Sequence, residues 1–119
     1  MLLLALLALA HPAPPPARID LHTITPNAAR VHHGKPVVAT LTATGEGYTH
    51  RLRGKLVTVL GVAGREDDAA GVLLKGNRLD IREGDVLEVR GVLKVIDHEA
   101  ATVEGVIVPA WSEVVVEEE

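Results

Sequence analysis

Six histidines are the first residues to weigh, because imidazole binds metals and moves protons near neutral pH. His32 and His33 are adjacent, while His50 and His98 are isolated and would have to converge in space. Neighbours on a helix point about 100 degrees apart, so His32 and His33 do not form a two-toothed ligand by themselves. No H-x-x-x-H, H-E-x-x-H or Cys/His spacing is present, and the chain has no cysteine. Neither a metal site nor a cofactor is expected. Nucleophilic hydrolysis has one serine to use, Ser112, which falls inside a predicted strand without a glycine-flanked elbow. Asp67-Asp68 and Asp97-His98-Glu99 have the composition of turns. No catalytic residue is assigned, and the chain is expected not to be an enzyme.

Binding chemistry has more material. Tyr48 and Trp111 are the only aromatic residues, with no phenylalanine, and a ligand patch is expected on Tyr48 and Trp111 with Arg51 and Arg53 nearby. Arg51, Arg53, Lys55, Lys75, Arg78 and Arg82 form a candidate basic rim, but Glu66, Asp67, Asp68, Asp80 and Glu83 are interleaved with them. The formal charge is −4, and an acidic body repels phosphate backbones. Nucleic-acid or anion binding on the rim is therefore the weaker alternative. A protein or glycan of the cell envelope is the preferred class of partner, and a monomer is expected.

Strands must position these residues. Valine supplies much of the apolar content and favours extended backbone. After a short extended lead-in at residues 19–21, residues 25–34 read as a helix of about two turns, with Thr25 as cap, Pro26 in the first position and Gly34 at the exit. Strands are predicted at 36–44, 56–63, 71–75, 86–96 and 103–116. The last is interrupted at Pro109, residues 48–53 form a loop, and residues 98–102 form a turn. Strand 86–96 alternates most cleanly: Leu87, Val89, Gly91, Leu93 and Val95 share one face, and Glu88, Arg90 and Lys94 the other.

Residues 54–62 (GKLVTVLGV) align without a gap on residues 84–92 (GDVLEVRGV), each with a glycine late in the strand, Gly61 and Gly91. Such glycines let a strand coil tightly, as a small barrel requires. The expected fold is all-β, a closed five-stranded barrel with one short N-terminal helix, spanning residues 19–119. Residues 25–37 (TPNAARVHHGKPV) and the G-x-V-x-E-V-x-G-V of residues 84–92 resemble small exported bacterial OB-fold proteins. Residues 92–98 and 105–114 look like a group of planctomycete-type secreted proteins of no assigned activity. The resemblance implies an OB barrel and transfers no functional residue.

The N-terminus points to export. Residues 2–10 read LLLALLALA, a secretory signal cleaved after Ala10, and residues 11–18 form a proline-rich spacer. An apolar run of this length falls well short of the roughly 20 residues a membrane span needs.

Overall fold

A computed structural model describes residues 15–45, 47–65 and 69–119. The expected signal at residues 1–10, the first half of the spacer (residues 11–14), and Glu46, Glu66, Asp67 and Asp68 lie outside the described residues, and the end of the expected spacer, Ala17 and Arg18, belongs to a strand.

The chain is mostly β. Strand β1 (Ala17–Asp20) leads into helix α1 (Pro26–Ala29) and a 3-10 turn (Arg30–His32). Then come β2 (Pro36–Thr42), β3 (Tyr48–Leu52), β4 (Lys55–Gly61), β5 (Ala70–Lys75), β6 (Val86–His98), β7 (Ala101–Val103), β8 (Val106–Val108) and β9 (Trp111–Glu118). The Thr25 hydroxyl accepts the Ala28 N–H at 3.1 Å, and Pro26 opens the helix, as its fixed φ allows. The α turn passes directly into the 3-10 turn, so helical backbone runs over residues 26–32, about the two turns expected, and it ends where the chain meets β6. Gly34, at φ 75°, donates to the Leu93 carbonyl at 2.8 Å, and His33 Nδ1 accepts the Val95 N–H at 2.9 Å.

Seven strands form one sheet in the order β1-β2-β6-β9-β5-β4-β3, and β7 and β8 pair only with each other. This corrects the expected five-stranded closed barrel: there are more strands, and the continuous ladder ends at β1 and β3 without closing on itself. β1 pairs with β2 and β5 with β9 in parallel; the other neighbours are antiparallel. A single bridge, Ala43 to Val62, joins the chain just after β2 to the chain just after β4.

Two further expectations change. Residues 48–52 are a strand, joined to β4 by Arg53 and Gly54 at φ 51° and 78°, the left-handed pair of a tight hairpin turn. The predicted final strand is three strands. Its reversal sits at Glu104 and Gly105 (φ 49° and 79°), not at residues 98–102, because Asp97 and His98 stay paired with Ser112 and Trp111.

The core lies on one face of the sheet. Leu41, Leu60, Val72, Leu74, Leu93, Val114 and Val116 are buried there, with Leu21 and Ile81 packed in from the connections. Thr58, fully buried, donates its hydroxyl to the Gly76 carbonyl at 2.7 Å and accepts the Arg78 N–H at 2.9 Å, fixing the chain after β5. At Gly91 the backbones of β6 and β9 approach so closely that a Cβ would run into the Glu117 carbonyl. This glycine is required by close approach.

Candidate functional site

Directly opposed residues of an antiparallel pair share a face. Leu52 with Lys55, His50 with Val57, Tyr48 with Val59, and Val57 with Lys75 therefore extend one surface, away from the core, across β3, β4 and β5. Leu73 with Glu117 and Val92 with Glu117 carry it on to β9 and β6. This outer surface holds a groove of about 750 Å³. Its apolar lining is Leu52, Leu56, Val57, Leu73 and Val92, and its charged lining is Arg53, Lys55, Lys75 and Lys94 with Glu117, Glu118 and Glu119.

The charges are only partly matched. The Arg53 guanidinium reaches both oxygens of Glu117 at 3.1 and 3.3 Å, and Lys94 Nζ lies 3.5 Å from the same carboxylate. One Glu118 oxygen accepts the Lys75 backbone N–H at 2.9 Å. The side-chain ammonium groups of Lys55 and Lys75 enter no ion pair among the described residues. Exposed pairs such as Arg53 with Glu117 contribute about 1 kcal/mol or less, so a ligand can exchange them. The groove thus offers aliphatic contact beside a mixed-charge rim of four cations and three side-chain carboxylates, in which Lys55, Lys75, Glu118 and Glu119 enter no ion pair among the described residues.

No protein-family model, curated protein or solved structure matches the chain.

Of the four residues expected to bind a ligand, Arg53 lines the groove and Tyr48 borders its face beside Val59. Arg51 does not line the groove, although its cross-strand partner Leu56 does. Trp111 lies at the far end of β9 and stacks on His98, with ring centroids 4.4 Å apart and planes 15° from parallel. The structure therefore separates Trp111 from Tyr48. The basic rim also divides: Lys55 and Lys75 join Arg53 in the groove, while Arg78 is held by Asp80 at 3.1 Å. Lys94, Leu73, Val92 and Glu117 were not singled out from sequence. A signal existed in Val92, an apolar residue within the otherwise charged face Glu88, Arg90, Lys94.

Two other clusters are structural. Arg30 grips Asp97 with two hydrogen bonds, 2.7 and 3.1 Å, and the Ser112 hydroxyl donates to the same carboxylate. Arg30 first, and Ser112 after it, hold Asp97 down to about 2. This ties the 3-10 turn to β6 and β9, and it turns the only serine hydroxyl toward an acid. Near β1, His22 Nδ1 lies 2.6 Å from Asp20 and its Nε2 lies 2.8 Å from the Thr42 hydroxyl. The acid, imidazole and hydroxyl are aligned as in activated nucleophiles. Asp20 also accepts the His22 backbone N–H at 2.9 Å, and the groove does not reach these residues, so the line serves to fasten the turn after β1 onto β2. Among the described residues the remaining histidines do not gather. His98 bonds Glu113 at 2.8 Å, His33 bonds β6, and His50 is exposed on β3.

Proposed function

We propose that the chain is an exported, non-catalytic binding module with an OB-type strand path, and that its outer groove takes an apolar protein segment carrying an acidic group. Several features support the strand path. β2 and β3 are consecutive along the chain and can be taken as one bent strand, broken near the Ala43 bridge. The main sheet from β2 onward then has the five strands of a partly open Greek-key barrel, with β4 and β5 as the second and third. The OB fold uses the face of those two strands for binding, and that is the face where the groove lies. Export is supported by the leader-like residues 2–10.

The observation that carries the ligand class is the groove lining: five aliphatic side chains with four cations against three side-chain carboxylates, Lys55 and Lys75 entering no ion pair among the described residues. Sugar rings and nucleobases are bound largely by stacking on aromatic faces, and the groove lining contains none. Leucine and valine side chains with a nearby carboxylate fit it better.

The probe is 1-anilinonaphthalene-8-sulfonate, an apolar ring system bearing one anionic group. It is expected to bind the folded chain with enhanced, blue-shifted emission. Leu73→Asp is expected to abolish binding, Lys75→Glu to weaken it about tenfold, equivalent to about 1.4 kcal/mol, and Trp111→Ala to leave it unchanged. Circular dichroism verifies that each variant is folded. Equal binding by Leu73→Asp and the unaltered chain would overturn the assignment.

A further inference from the structure

The hairpin formed by β7 and β8 stands apart from the main sheet. Residues 101–110 are all exposed, and the two strands form no ladder with the main sheet. Pairing of Ala101 with Val108 and Val103 with Val106 places four apolar side chains on one hairpin face, while Thr102 and Ile107 occupy the other. Val103 is 57% and Val106 65% exposed, and Glu104 occupies the turn between them. A two-stranded hairpin with an uncovered apolar face is marginal in water. It gains by burying that face.

The hairpin is an apolar projection with Glu104 at its turn; the groove is an apolar recess whose rim carries Arg53, Lys55, Lys75 and Lys94 against Glu117, Glu118 and Glu119, an excess of one positive side-chain charge for Glu104 to meet. They lie at opposite ends of β9, which leaves the hairpin at Trp111 and meets the groove at Glu117. Six residues of extended strand separate those points by about 20 Å. The hairpin's exposure shows directly that it does not fill its own groove.

We infer that the β7–β8 hairpin of one copy docks in the outer groove of a second copy, with Val103 and Val106 on the aliphatic lining and Glu104 facing Lys55 and Lys75. The inference rests on the groove's being the binding surface proposed above, and names its partner. The contact is head-to-tail, because the two surfaces differ, so it leaves one hairpin and one groove free and propagates. A hairpin tip buries less than the roughly 800 Å² per partner of a stable interface, so the association is weak and belongs to high concentration or to an array.

Sedimentation velocity on the full chain tests this, from micromolar up to about 1 mM, the weak end of measurable association. The unaltered chain is expected to show a concentration-dependent series of species. Val106→Asp and Leu73→Asp are each expected to remain monomeric alone. Mixed, they should form a one-to-one pair and nothing larger, because one supplies the groove and the other the hairpin. Glu104→Lys and Lys75→Glu, each weakened alone, should likewise associate when mixed, and Ile107→Ser should behave as the unaltered chain. Failure of the mixture to pair, with Val106→Asp still disruptive, would mean hairpin-to-hairpin contact and overturn the inference. A chain that stays monomeric throughout would also overturn it. Retained anilinonaphthalene sulfonate binding in that case would leave the groove standing and remove only the partner, whereas loss of probe binding would remove both.

Discussion

β6 and β9 are paired from Gly91 opposite Glu118 to His98 opposite Trp111, yet the two ends of this ladder live in different surroundings. At the groove end both faces are occupied: Leu93 and Val116 are buried in the core, and Val92 and Glu117 are half-buried on the outside. Toward the hairpin end the inner apolar layer runs out after Val95, and Ile96 and Trp111 stand 39% and 41% exposed. A strand pair carried beyond its core must be held by side chains instead. Here Arg30, Asp97 and Ser112, together with the His98 to Trp111 stack, do that. The covered end is therefore stabilised by burial, and the projecting end by polar contacts sensitive to solution conditions.

The contrast can be broken most severely at Gly91. Gly91→Ala forces a side chain against the Glu117 backbone and is expected to cost about 3 kcal/mol or more, read as a lowered denaturation midpoint in urea. Thr58→Val comes next, at about 2 kcal/mol, because it leaves the Gly76 carbonyl and the Arg78 N–H without their partner inside the protein. At the projecting end the effects shrink and become pH-dependent. Asp97 is lowered from 3.8 to about 2, so its pairing stabilises the fold above the unfolded value and is lost as pH falls from 3.8 toward 2. Thermal unfolding of the unaltered chain is expected to weaken across that window, and Asp97→Asn to flatten part of the decline. Ile107→Ser, on the exposed hairpin, should change stability by no more than about 0.5 kcal/mol; a larger loss in calorimetry would mean the hairpin is integral to the core.

The β character, the short helix and its Thr25 cap were legible because valine alternation and the T-P sequence act locally. The helix's change from α to 3-10 backbone at Arg30 was not, and neither was the tie to β6 that Gly34 and His33 make at its exit, across a long stretch of sequence. β3 escaped notice because Tyr48, Thr49, His50 and Arg51 are all exposed, so no buried face imposes a period of two. Its connection to β4 uses Arg53-Gly54, without the asparagine or aspartate that usually announces a tight hairpin. The groove was visible only in part. Arg53, Lys55 and Lys75 stood out as charges, but placing them with Val92, Lys94 and Glu117 requires the strand order, in which β9 separates β5 from β6. Composition carries no trace of that order.

Nuclear magnetic resonance of the uniformly ¹⁵N-labelled chain, titrated with anilinonaphthalene sulfonate, locates the binding surface most directly. Amide shifts are expected to concentrate at Lys55, Val57, Leu73, Lys75, Val92 and Lys94, with Asp20, His22 and the 3-10 turn unmoved. Shifts centred on Trp111 and His98, or dispersed over the sheet with no focus in the groove, would contradict the account.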